Sequence, residues 1–291
     1  MMRSLWTGAT GMVAQQNAVD TISNNIANVN TTGYKKETVE FKSLLYTKLQ
    51  TKTTDNEGNV KPVIGQVGVG TRTASITSRY TQGALNATGN NLDFALEGQG
   101  FFKVLLPNGE VGYTRNGTFQ ASQGPEGLTL CTADGYPVLD STGSAIVFPA
   151  GTDSSTIEVD EEGKFFRTVL NPVTSTTVND EGGEVTTTKY EKELVNMEIS
   201  FGVAQFNNPS GLEKTANSIL LATESSGEER LEGEDTEISR SKVHAQYIEA
   251  SNVNLADEMV NLIVAQRAYE MNSKIINASD EMLQQANNLR G

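Results

Sequence analysis

The chain has 291 residues, of which 37% are hydrophobic and 20% charged, enough length and apolar content to bury a sizeable core. Its formal charge of −14 excludes a general nucleic-acid binder, which concentrates lysine and arginine to neutralise phosphates, and it opposes attraction to an anionic membrane. A single cysteine, Cys131, and a single histidine, His244, exclude an intramolecular disulfide, a multi-cysteine metal site and paired-histidine ligation.

In the first thirty residues Leu5, Met12, Val19 and Ile26 recur at seven-residue spacing, supported by Trp6, Val13, Ile22 and Val29. This pattern predicts a helix capped by Ser4, running to about Val29 and ending in Asn30-Thr31-Thr32-Gly33. Thr7, Gly8, Thr10, Gly11 and Gln15-Gln16-Asn17 interrupt what would be the apolar core of a secretory signal, and no run of about 20 apolar residues follows anywhere. The expectation is a cytoplasmic or unconventionally exported protein with no membrane insertion.

Residues 35–49 allow either a short helix or an extended arm around Phe41, Leu44 and Leu45. Residues 51–65 are polar, contain Asp55-Asn56-Glu57-Gly58 and Pro62, and read as an exposed loop or long hairpin. Gly65, Gly68 and Gly70 permit tight backbone paths, but without Gly-Lys-Ser/Thr they make no phosphate loop.

From residue 71 to 223 the period changes to two. Residues 72–77, 101–106, 111–115, 157–159 and 199–203 are strand-like, and Pro107-Asn108-Gly109, Asn116-Gly117, Asp134-Gly135 and Glu161-Glu162-Gly163 punctuate them as turns. An antiparallel β domain follows, with Cys131 as a small strand residue and His244 as an ordinary polar one. Residues 168–192 read as a protruding hairpin around Asn179-Asp180-Glu181-Gly182-Gly183. The acidic run 224–237 reads as a solvated linker, since it lacks the Asp/Asn spacing of a calcium loop.

Residues 255–289 contain no proline or glycine and predict one helix of about 50 Å, capped by Asn254, with Asp257 and Glu258 at its positive end. Leu255, Leu262, Tyr269, Ile276 and Leu283 form one stripe, widened by Met259. Val264, Ala268, Met271, Ile275, Ala278, Met282 and Leu289 form a second row on another face. An amphipathic helix on an ordinary core would need one stripe, whereas two require two sets of neighbours. The N-terminal helix supplies one set, and other copies of the chain are expected to supply the second. Asn24, Asn25, Asn28, Asn261 and Asn272 either fix register by hydrogen bonds or are solvated; a buried amide left unpaired costs about 1–3 kcal/mol.

The fold class expected is α+β, with long terminal α-helices forming a coiled-coil-like pair and a mainly antiparallel β domain inserted between them. The expected division is a helix domain of residues 1–33 and 251–291, connecting segments 34–70 and 224–250, and a β domain of residues 71–223. Nothing in the pattern points to a cofactor, a metal or a catalytic centre.

Met2-Arg3-Ser4-Leu5-Trp6, the run Ser23-Asn24-Asn25-Ile26-Ala27-Asn28-Val29-Asn30-Thr31-Thr32-Gly33-Tyr34-Lys35 and Ser251-Asn252-Val253-Asn254 resemble signatures of bacterial flagellar rod and hook proteins. Residues 258–274, Gly68-Val69-Gly70-Thr71-Arg72, Gly98-Gln99-Gly100-Phe101-Phe102 and Tyr113-Thr114-Arg115-Asn116-Gly117 are similar to the distal-rod branch of that family. The resemblance implies a helical tube of identical copies, with terminal helices innermost and the β domain outside, carrying torque from motor to hook. It further implies export by the flagellar type III apparatus without a cleaved signal. Proximal rod, hook and surrounding ring proteins are the implied neighbours, and residues 49–65 the implied stiffening insertion. The hairpin 168–192 and the acidic run are larger than the family pattern. Competing readings are a hook subunit, which would be longer and lack that insertion, and a proximal rod subunit. A rod-associated cell-wall hydrolase is a third, using Glu228 and Glu229 or Glu232 and Glu234, although no aromatic cleft surrounds them.

Overall fold

The computed structural model describes residues 2–48, 65–124, 127–149, 152–178, 184–233 and 238–289. The chain forms two compact units, Met1–Val29 with Lys35–Arg79 and Val253–Gly291, and Asn30–Tyr34 with Tyr80–Asn252. Two helices, one towards each end of the chain, and antiparallel ladders between them give the α+β class expected. Among the described residues no helix is long and apolar enough to cross a membrane.

The first unit contains helices α1 (Met2–Ala27) and α2 (Leu255–Asn288) and strands β1 (Glu37–Ser43), β2 (Tyr46–Lys48), β3 (Gln66–Gly68) and β4 (Thr71–Ser78). Helix α2 starts where its cap predicts: Asn254 Oδ1 accepts the Ala256 N–H at 3.1 Å. Ser4, by contrast, does not cap α1. The helix begins before it, and the Ser4 hydroxyl lies 3.1 Å from the Ser279 hydroxyl on α2, so packing against α2 supports an extra turn that local capping rules do not foresee.

Residues 35–48 resolve as extended chain. Strand β1 runs antiparallel to β4 from Glu37 opposite Ser78 to Ser43 opposite Thr71. Strands β2 and β3 pair Tyr46 with Gly68 and Lys48 with Gln66, and the insertion expected over 49–65 lies outside the described residues up to Gly65. Gly70 has a structural necessity: its φ is +125°, and a Cβ there would fall 2.2 Å from Thr10 Oγ1, so only glycine lets the start of β4 abut α1.

The second unit contains β5 (Leu85–Ala87), β6 (Phe94–Glu97), β7 (Phe101–Leu105), β8 (Val111–Thr114), β9 (Phe119–Gln123), β10 (Leu128–Thr132), β11 (Val147–Phe148) and β12 (Ile157–Val159). It continues with β13 (Lys164–Val178), β14 (Glu184–Ser200), β15 (Val203–Gln205), β16 (Glu213–Lys214), β17 (Ile219–Leu221), β18 (Arg230–Leu231), β19 (Lys242–Ala245) and β20 (Tyr247–Glu249). A six-stranded sheet, ordered β16-β17-β8-β7-β15-β18, is its centre. The pleat sends adjacent phenylalanines of β7 to opposite faces. Phe102 enters a cluster with Phe94, Phe119, Phe148, Phe165 and Phe201, whereas Phe101 joins Tyr113, Phe206, Leu212 and Leu220. The expected strand 199–203 is divided at Phe201-Gly202 between β14 and β15. The hairpin expected over 168–192 is the distal part of the β13–β14 ribbon, paired out to Val178 opposite Glu184, and its tip lies outside the described residues.

The acidic run is solvated only in part as far as it is described: Glu224 and Glu228 are exposed, whereas Glu229 and Glu232 are tied to the sheet, to which β18 adds an edge. Glu229 accepts the Tyr113 hydroxyl at 2.5 Å and lies 3.2 Å from Lys103 Nζ; Lys103 and Tyr113 are cross-strand neighbours on β7 and β8. Burial and then this bond hold the Tyr113 hydroxyl well above the ordinary phenol range. Glu232 is buried and accepts from Gln205 Nε2 at 2.8 Å and from the Ser241 N–H and hydroxyl, each at 2.7 Å. These carboxylates satisfy buried donors, a role that a reading of charge density along the chain cannot distinguish from solvation.

A buried ion pair closes the second unit where its two short entering and leaving segments meet. Arg115 Nη1 lies 3.2 Å from Glu249 Oε2, Arg115 Nη2 donates to the Gly98 carbonyl at 2.6 Å, and the guanidinium sits 5.1 Å over the Phe101 ring. Glu249 Oε1 also accepts the Gly83 N–H at 2.8 Å, and its carbonyl accepts the Gly33 N–H at 2.8 Å. Arg115→Ala is expected to lower the stability of this unit by about 3–5 kcal/mol, because it strands a buried carboxylate. Arg115→Met with Glu249→Leu removes both charges and should recover part of that loss, the remainder being the Gly83 and Gly98 hydrogen bonds, as read by urea unfolding.

Candidate assembly surface

Helices α1 and α2 run antiparallel. Ser4 meets Ser279, Gly11 meets Asn272, and Asn25 meets Glu258, with buried Ala18 and Ala265 falling at the matching position between them. Both sets, Ser4, Gly11, Ala18, Asn25 and Glu258, Ala265, Asn272, Ser279, repeat every seven residues. The close seam is therefore a line of small and polar residues beside the bulky line. A Cβ on Gly11 would sit 2.8 Å from Asn272 Nδ2, and one on Gly8 3.0 Å from Ile276 Cγ1, so the two glycines let the helix backbones approach.

The bulky residues flank that seam. Leu5, Met12, Val19 and Ile26 on α1 and Leu262, Ile276 and Leu283 on α2 are half-buried, while Leu255 and Tyr269 remain 43% and 42% exposed. A straight helix drifts by about 20° per heptad relative to a seven-residue repeat, so one line cannot stay in contact along its whole length. The second row stays outside: Val264, Met271, Ile275 and Met282 are exposed, Met271 at 65%, and Leu289 is exposed as well.

One polar knot holds α1, β1 and α2 together. The Asn25 amide is 1% exposed and uses both donors and its oxygen: Oδ1 accepts the Glu37 N–H at 2.8 Å, and Nδ2 donates to the Glu37 carbonyl at 2.9 Å and to Glu258 Oε2 at 3.2 Å. The amide thus pairs with the first residue of β1 as another strand would. Glu258, also 1% exposed, completes an ion pair with Lys36 through its other oxygen. Read from sequence, Glu258 is a carboxylate favoured by the helix dipole; here it is a buried cross-link. The available signal is its seven-residue spacing from Ala265, Asn272 and Ser279, together with Lys35-Lys36 just after α1.

The other asparagines take different places. Asn24 Nδ2 donates to Glu37 Oε2 at 3.2 Å, Asn28 Nδ2 donates to the Asn24 carbonyl and Oδ1 at 3.0 Å each, and Asn272 packs its amide on Gly11. Asn261 is exposed and lies off the seam. The arrangement binds one apolar face within the chain and presents another to the outside, which is the chemistry of assembly.

Three family models match the chain. One described as flagella basal body rod protein covers residues 5–35, one described as flagellar hook protein FlgE/F/G D1 domain covers 95–166, and one described as flagellar basal body rod FlgEFG protein C-terminal covers 244–289. The flagellar basal-body rod protein FlgG of Borreliella burgdorferi is 40% identical over 291 residues, covering 100% of this chain and 99% of its own. Those of Agrobacterium fabrum and Bacillus subtilis are 36% identical over 283 residues and 32% over 295, covering 97% and 100% of both chains.

Proposed function

The chain belongs to the FlgG family of flagellar basal-body rod proteins, and from that premise we propose that it polymerises into the distal section of the rod as a helical tube. It is a structural rod subunit of the flagellum, located in the basal body. In the proposed tube the helix unit lines the wall and the β unit forms its outer layer. Torque is carried by many copies of the α1–α2 contact acting in parallel, so no single contact bears the twist. Its neighbours are the proximal rod and hook proteins at the two ends and ring proteins around it, and it reaches its place spanning the periplasm through the flagellar type III apparatus without signal cleavage.

The observation that carries this reading is the outer row of α2. Val264, Met271, Ile275 and Met282 expose large apolar side chains along one face of a helix whose other face is already occupied. Such a row is unfavourable in water, and a neighbouring copy removes it. Electron microscopy of isolated basal bodies carrying an epitope-tagged chain tests the assignment. Label is expected along the shaft between the proximal rod and the hook; label confined to the hook, or absent from the shaft, would overturn it.

A further inference from the structure

Methionine is spread unevenly over the described side chains. Met12 on α1 and Met197 on β14 are half-buried, and Met197 packs against the phenylalanine cluster of the second unit. The other three lie on α2 and stay in water: Met259, Met271 and Met282 are 52%, 65% and 48% exposed. Met271 and Met282 are eleven residues apart, three turns and about 16 Å of helix, so both stand on the face that carries Val264 and Ile275. Met259, twelve residues before Met271, lies about 120° round the helix from it. The lone thiol is closed to oxidants by comparison: Cys131 is buried, and burial pushes its thiol up, away from the reactive thiolate. The sulfur most open to solvent is therefore on the outer row.

Resting on the assembly reading above, we propose that Met271 and Met282 are modification sites for peroxide, and that a copy carrying sulfoxide at either is excluded from the rod. In the reaction the thioether sulfur attacks one oxygen of hydrogen peroxide; the S–O bond forms as the O–O bond breaks, and the other oxygen takes the proton of the first and leaves as water. Sulfur loses two electrons to the peroxide. A thiol-dependent sulfoxide reductase returns them, releasing the oxygen as water while two thiols become a disulfide. The thioether is apolar and suits a row that a neighbouring copy covers, whereas the sulfoxide is polar and holds a strong acceptor there. In the free chain that acceptor is hydrated; under a covering apolar surface it has no donor. Copies already in the rod keep their thioethers, because the contact that excludes the sulfoxide also excludes the peroxide. Modification thus acts on the unassembled chain alone.

The test uses the full-length chain as sole copy, in cells that also lack methionine sulfoxide reductases, with expression induced in sublethal hydrogen peroxide so that no rod predates the oxidant. Peptide mass spectrometry reads the sulfoxide fraction at each methionine, in isolated rods and in the chain left outside them. Outside the rods, Met271 and Met282 are expected to carry several-fold more sulfoxide than Met12 and Met197. In the rods their sulfoxide fraction is expected to be about tenfold lower than outside, the factor for one buried unpaired acceptor. Met271→Gln with Met282→Gln keeps helix propensity and places an amide where the sulfoxide would be, and is expected to leave rods without their distal section in the absence of oxidant. Equal fractions inside and outside the rods, no preference for Met271 and Met282 over Met12 and Met197, or normal rods from the glutamine variant would each overturn the proposal and leave the rod assignment standing. Absence of the parent chain from the rods of untreated cells would overturn both.

Discussion

Met271→Asp combined with Ile275→Asp is expected to abolish incorporation into the rod, and with it motility, while leaving the isolated chain close to the parent in stability. Both side chains lie on the outer row, 65% and 47% exposed, and make no part of the α1–α2 seam. In the isolated chain the new carboxylates stay in water, so only lower helix propensity and the like-charge i,i+4 pair count, and the change in stability should stay at about 1 kcal/mol. In an assembled wall each would be stripped of water without a partner, at a cost of several kcal/mol per charge, repeated in every subunit. Rods isolated from cells expressing only the variant should be missing their distal section, while urea unfolding of the purified chain should match the parent to within that margin. Normal rods would show that this face is not buried in assembly. A monomer weakened by much more would show that it already has a partner within the chain.

Glu258→Ala is expected to act in the opposite place, on the helix pair of the single molecule. The carboxylate is buried and answers both Asn25 and Lys36, so its removal takes away the acceptor it offers Asn25 and the charge it sets beside Lys36. Lys36 is 28% exposed and can recover some hydration, which places the loss near 2–4 kcal/mol, below that for a fully enclosed pair. Since about 1.4 kcal/mol is tenfold in an equilibrium, amides of α1 and α2 should exchange roughly thirty- to several-hundred-fold faster. Amides of the six-stranded sheet should be unchanged. Glu258→Gln retains an acceptor for Asn25 and should lose less than half as much. Equal effects of Ala and Gln would assign the stabilisation to charge alone, and no effect of either would remove the knot from the account of the helix pair.

The parts of this protein legible in its sequence are those set by short-range rules. The helix over Leu255–Asn288 announces itself by an asparagine cap, an acidic first turn and a long stretch free of proline and glycine. The β7–β8 hairpin follows from alternation on both sides of Asn108-Gly109. Where local rules failed, a distant residue had intervened. Ser4 looks like a cap until α2 runs beside it, Glu232 looks solvated until Gln205 and Ser241 close around it, and the partly exposed Glu229 is tied to Tyr113 and Lys103.

By itself the sequence determined that there would be two helices of seven-residue periodicity with antiparallel strands between them, and that α2 would have apolar side chains on two faces. Periodicity is a property of one backbone, and it survives whatever surrounds it. Only the tertiary structure decided that the line of Ser4, Gly11, Ala18 and Asn25, and not the bulkier line beside it, faces Ser279, Asn272, Ala265 and Glu258. Two helices settle at the separation their smallest facing residues allow, and that distance is defined only when both are present.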